Sequence, residues 1–262
     1  MSAEGPPLGL QVATLARRSV LKTMRQPAQV IPSLIFPIVL LAVNASGLSR
    51  ATNIPGFPTH SYLTFALAIT FMQGAMFAML NAGTNLANDI ETGFLNRLAL
   101  TPMRRAALLV GQLAGVGVLG FIQSVLYIAV GLTAGAHIKA GVGGALVLIV
   151  LGVFIALAFG ALGTAAALRT GSGEAVQGLF PLMFVFLFLS SSNLPRDLLG
   201  HGWFKAIATA NPVSYLLEGL RSLLITGWDG EALALAFGIG LVVLVVGLAA
   251  ASAAMKQRLV RT

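Results

Sequence analysis

Long apolar stretches, nearly free of charge, alternate along this chain with short segments where Lys, Arg, Gly and Pro collect. Crossing a hydrocarbon core takes about 20 apolar residues, and only segments that close their own backbone hydrogen bonds persist there. The pattern therefore predicts an all-α, polytopic membrane protein with six transmembrane helices, at about residues 30–48, 62–86, 107–132, 142–168, 176–192 and 232–254. The fifth stretch is the shortest. Pro32 and Pro37 predict kinks in the first. Ahead of it, residues 8–28 place Arg18, Lys22 and Arg25 on one stripe, with Ala13, Ala16, Val20 and Met24 opposite. This predicts an amphipathic interfacial helix on the cytoplasmic surface, ended by Pro27; a plain basic flank that sets topology is the alternative. Residues 193–230 are partly apolar but broken by Pro195 and Pro212.

Composition narrows the class. Of the 262 residues 57% are hydrophobic and 9% charged, with mean hydropathy +0.90. Soluble domains carry about 25% charged residues, so the chain reads as one membrane domain over 1–262. Residues 1–29 form its cytoplasmic interfacial part, 30–254 the six-span bundle and 255–262 a cytoplasmic tail. Net charge is +8. Beside membrane spans these cations point to anionic lipid and topology rather than nucleic acid. Cysteine is absent, which excludes thiol chemistry. Ala42-Val43-Asn44-Ala45 looks like a cleavage site, but about 29 residues precede the apolar run, too many for a basic leader region. A retained span is expected.

Basic residues set the orientation. Arg17, Arg18, Lys22 and Arg25 precede the first span, Arg97, Arg104 and Arg105 join the second to the third, Arg169 follows the fourth, and Lys256, Arg258 and Arg261 close the chain. The opposite connections hold fewer: Arg50, Lys139, Arg196, Lys205 and Arg221. The positive-inside rule then puts both termini in the cytoplasm.

Ion-coupled carriers need ionisable groups at membrane depth. All 8 acids fall in connections or at span ends, which argues against a proton relay. No glycine-rich loop ends in Gly-Lys-Ser/Thr, so the chain hydrolyses no nucleotide itself. His60, His137 and His201 all lie on predicted external connections, and no nucleophile–base or metal-ligand spacing is present. No catalytic or metal site is expected, and any work must come from a partner.

The second cytoplasmic connection offers that partner a handle. Ile90, Phe94 and Leu98 recur every four residues and give a short helix an apolar edge, while Thr101 and Pro102 suit the cap and first position of the next helix. A solvated loop is the alternative.

At these residues the chain resembles a known family. Glu91-Thr92-Gly93-Phe94-Leu95 and Leu100-Thr101-Pro102 resemble the cytoplasmic coupling segment in membrane subunits of type-two ABC exporters. The stretch Asn211-Pro212-Val213-Ser214-Tyr215-Leu216-Leu217-Glu218-Gly219-Leu220-Arg221, ahead of Gly227, is similar to the Asn-Pro…Arg stretch before the last span in the drug-exporting branch. Ser190-Ser191-Ser192-Asn193-Leu194-Pro195 is similar to the turn after the fifth span. The resemblance implies a permease in a bacterial cell membrane that pairs with a second permease, identical or not. It further implies two ABC ATPase subunits, which carry the ATP and Mg while this chain binds no cofactor. It assigns Glu91, Gly93 and Pro102, beside Asp89, Phe94 and Leu98, to ATPase coupling, and Asn211, Pro212, Glu218 and Arg221 to an external re-entrant hairpin. Arg169 either touches the ATPase or anchors topology. Drugs or other amphipathic molecules are the implied cargo. Lipid and polysaccharide exporters share the family, and an ATP-independent carrier or channel is the rival from another class.

Three features bear on a path. Gln73, Asn81, Asn85 and Asn88 drift round one face of the second span; they line a cargo route or join helices. Met72, Met76 and Met79 share a face of that span, and Phe180, Phe184 and Phe188 recur every four residues in the fifth. Together they form a lateral cavity or ordinary packing. Glu218 and Arg221, three apart, form an ion pair if the stretch is helical, or stand as two solvated charges. Small residues at Gly152, Ala156, Gly160 and Thr164, and at Gly111 and Gly115, predict close helix packing.

Overall fold

The computed structural model describes residues 7–94, 97, 105–200 and 202–260. Leu98, Thr101 and Pro102 of the predicted coupling segment, and His201, lie outside the described residues. Among the described residues every regular element is helical: α1 Leu8–Met24, α2 Pro27–Gly47, α3 Tyr62–Glu91, α4 Arg105–Thr133, α5 Gly141–Thr170, α6 Gly173–Phe188, α7 Trp203–Ala210, α8 Pro212–Arg221 and α9 Gly230–Val260. Short 3-10 turns cover Ser49–Asn53 and Arg196–Leu198, and a π turn covers Ser222–Thr226.

Five of these helices, α2, α3, α4, α5 and α9, are long and apolar enough to cross a membrane. The fifth expected span differs. With 16 residues, α6 rises only about 24 Å, short of a hydrocarbon core of about 30 Å. It starts at Gly173 because the Ser172 hydroxyl caps it by accepting from the Ala175 N–H. It stops at Phe188 because the chain turns: the Ser190 hydroxyl donates back to the Leu187 carbonyl.

The centre of the bundle is α3, buried over nearly its whole length, with Phe65, Leu67, Met72 and Met76 essentially sealed. It packs against α2, α4, α5 and α6. The closest approach comes at Gly163 of α5, where any Cβ would run into the Met79 carbonyl of α3. The small-residue faces divide their labour: Gly152 and Gly160 of α5 admit Ser124 and Val116 of α4, while Gly111 and Gly115 of α4 receive α1.

The chain continues through Pro32 and Pro37 as one helix, α2. A proline at position 37 cannot donate to the Ser33 carbonyl one turn back. Two side chains of α4 replace that bond: the Tyr127 hydroxyl donates at 2.7 Å and Gln123 Nε2 at 3.3 Å. In lipid such replacement is what makes an internal proline tolerable. Tyr127→Phe is expected to cost about 1 kcal/mol, read as a lower Tm of the purified protein. An unchanged Tm would mean that Gln123 alone suffices.

The contacts of α1 add a polar seam that the wheel does not reveal. Its buried residues are the polar Gln11, Ser19 and Thr23, packed on α4, whereas Leu10, Leu21 and Met24 are exposed. It also ends at Met24, before Pro27, which opens α2 at its first position instead of closing α1.

Candidate functional site

Ion pairs and backbone contacts gather α1, the last turns of α3, the α5–α6 turn and the end of α9 at one end of the bundle. Asp89 is the hub. Its side chain is 7% exposed and takes a two-pronged bond from Arg18, Nη1 to Oδ2 and Nη2 to Oδ1, each 2.9 Å. Lys22 Nζ donates to the same Oδ1 at 2.7 Å and to the Asn85 carbonyl at 2.7 Å. The Arg18 guanidinium also lies 3.7 Å from the centre of the Phe94 ring. A carboxylate this buried needs partners that use several of its lone pairs, and one turn of α1 supplies them from positions four apart.

Glu91 points elsewhere. Its Oε1 accepts from the Gly173 N–H at 3.2 Å, an acid at the positive end of α6. Gly93, with φ of 71°, breaks α3 just beyond. The start of the segment predicted to couple to the ATPase is thus bonded to two helices, α1 through Asp89 and α6 through Glu91. Arg169 is exposed on the last turn of α5. Sequence reasoning singled out Arg18 and Lys22 only as a basic stripe and missed them as partners of Asp89. It also missed Arg258, whose Nε donates to the Leu168 carbonyl at 2.7 Å and closes the end of α5.

At the opposite end, Asn211 joins two helices. Its Oδ1 accepts from the Val213 N–H at 2.9 Å and caps α8, where Pro212 takes the first position. Its Nδ2 donates to the Phe186 and Leu189 carbonyls at the end of α6. Arg221 is buried, and its guanidinium donates to the carbonyls of Phe65, Ser191 and Ser192 with its plane 3.6 Å from the Phe65 ring centre. Burial pushes this cation down to about 9, which leaves it charged at neutral pH.

The expected Glu218–Arg221 pair does not form. Glu218 bonds Arg196 instead, and Arg196 lies 4.3 Å from the Tyr215 ring centre. The reason is that α8 turns Arg221 inward onto the carbonyls of Ser191 and Ser192 beyond the end of α6 and of Phe65 in α3, while Glu218 faces a cleft that holds Arg196. Burial raises the Glu218 carboxyl, and Arg196 works against that rise. The cleft has a volume of about 500 Å³ and is lined by Phe65, Arg196, Lys205, Glu218, Arg221 and Asp229 among others.

Of the residues named for a path, Gln73, Met76 and Asn81 are buried inside the bundle. Phe180 and Phe184 are half-buried and Phe188 is 58% exposed. Their rings form a chain, 5.1 Å from Phe180 to Phe184 and 6.3 Å from Phe184 to Phe188, which Phe77 of α3 joins at 5.0 Å from Phe180.

The profile of a family described as ABC-2 type transporter matches residues 10–225, from α1 through α8 to the π turn. The chain belongs to the ABC-2 type transporter family. Among similar proteins is the daunorubicin resistance ABC transporter permease protein DrrB1 of Streptomyces coeruleorubidus, 30% identical over 93% of this chain and 83% of the relative. Another, named "probable doxorubicin resistance ABC transporter permease protein DrrC", comes from Mycobacterium tuberculosis and is 23% identical over 83% of this chain and 78% of its own. The ABC-2 chain described here is accordingly a transmembrane permease subunit. Both bonded ends of this ABC-2 permease lie within its matched region, except for Arg258.

Proposed function

We propose that this permease is the gate of an ATP-driven exporter whose motor is a separate ABC ATPase, docked in two copies on the end that carries α1 and Asp89. A second permease, identical or related, completes the membrane part, and ATP with Mg resides on the ATPase. That basic end faces the cytoplasm of a bacterial cell, in keeping with the positive-inside rule. In this reading α6 completes six passes with help from the turn that follows it, and α7–α8 form an external re-entrant hairpin. The relatives named for daunorubicin and doxorubicin resistance support amphipathic drugs as cargo.

The observation that carries the reading is the double attachment of the coupling segment. Its first residues hold α1 through Arg18–Asp89–Lys22 and α6 through Glu91–Gly173. Closure of the ATPases would push this segment, and the two attachments would pass the displacement into α1 and α6 together. Coupling of this kind needs an element that both sites bias. The test is Glu91→Ala combined with Phe94→Ala in the reconstituted complex. ATP hydrolysis without drug efflux is expected, with membrane insertion retained. Normal efflux in that variant removes the coupling role.

A further inference from the structure

We propose that one water molecule is a built-in part of the seam between α1, α3 and α4, bound by Asn81 and Asn85. The observations are local. Both amides are 6% exposed. Asn81 Nδ2 is a sealed donor and Asn85 Oδ1 a sealed acceptor, each without a protein partner. They line a pocket of about 10 Å³, together with Ser19 and Thr23 of α1 and Gln112 and Gly115 of α4.

Chemistry selects the occupant. A sealed polar atom with no bond carries the full cost of leaving water, and native proteins rarely leave two such atoms on the lining of one pocket. The volume matches the room that one water needs and no more, which excludes lipid and drug. The site presents an amide N–H as well as an oxygen, and a cation cannot use the N–H. Water can accept from Asn81 Nδ2 and donate to Asn85 Oδ1 at once, with the Ser19 and Thr23 hydroxyls at hand. Direct bonds already made there, Ser19 Oγ to the Gln112 carbonyl at 2.8 Å and the Gly115 N–H to Ser19 Oγ at 3.3 Å, show that this seam is joined by polar contacts. Gly115 brings α1 close enough for these bonds, since a Cβ would meet the Ser19 and Thr23 hydroxyls. The inference is independent of the coupling role proposed above.

Cryo-electron microscopy of the full chain in its complex, in nanodiscs and at a resolution that shows waters, tests it. A single peak within about 2.7–3.2 Å of both Asn81 Nδ2 and Asn85 Oδ1 is expected. Amides turned onto each other with no peak between them overturn the proposal, as does a peak ringed only by oxygens at cation distances. A thermal cycle gives a second measurement. Asn81→Leu and Asn85→Leu should each lower the Tm by orphaning the remaining amide. The double variant should fall no further than the worse single, because the shared ligand and both its partners leave together. Losses that add in full would overturn a shared water even if no map is obtained.

Discussion

Asp89→Asn is expected to cost about 3 kcal/mol of stability and to uncouple the transporter. The figure is the low end for breaking a buried ion pair, because Arg18 is 35% exposed and keeps part of its hydration. The amide carries no charge, and two cations four residues apart on α1 would then face each other across it. The loss divides into two readouts. A Tm drop of the purified permease reports the clamp itself, and drug-stimulated ATP hydrolysis in the complex reports its mechanical use. Arg18→Lys should fall between wild type and Asp89→Asn, since an ammonium cannot reproduce the two-pronged bond. A Tm and a coupling ratio unchanged in Asp89→Asn would reduce the hub to an incidental surface pair.

The second large effect lies at the other end. Arg221→Met is expected to cost about 3–5 kcal/mol, the range for stripping one partner from a buried charged network. It leaves the carbonyls of Ser191 and Ser192 without their guanidinium donors in a buried site and strips a second bond from the Phe65 carbonyl. Methionine fills much of the same volume, so the deficit is one of hydrogen bonds rather than of packing. Arg221→Lys should recover only part of it, because one ammonium cannot span carbonyls that three guanidinium nitrogens reach. Yield of folded protein in the membrane fraction and the Tm after extraction both serve. Wild-type values for Arg221→Met would show that water already pairs those carbonyls.

Much of the architecture was legible because hydrophobic length is a one-dimensional signal. The long spans around α3, α4, α5 and α9 needed no tertiary knowledge. What failed was whatever depended on partners far along the chain. Glu218 and Arg221 looked like a pair at helical spacing, but the bond to Glu218 comes from Arg196, 22 residues earlier, and Arg221 answers carbonyls whose exposure no residue pattern reveals. The stripe of Arg18 and Lys22 was visible as charge. That Asp89, 71 residues beyond Arg18, meets it depends on α1 packing along α4. The polar seam between α1 and α4 was missed for the same reason: glycines in α4 make it possible, and wheel geometry cannot see the opposing surface. The short length of α6 was legible, but its end was set by a local competition, because Ser190 turns its hydroxyl back on the helix that a hydropathy window would extend.

The two amide arms of Asn211 have a mechanical corollary. One side chain closes the end of α6 and opens α8, so the pair behaves as a crank with a single pin. A tilt of α6 that begins at its Glu91 contact would be felt at its other end by α8, and with it by Arg196 and the cleft. One amide side chain would thus tie the two ends of the bundle into a single moving part.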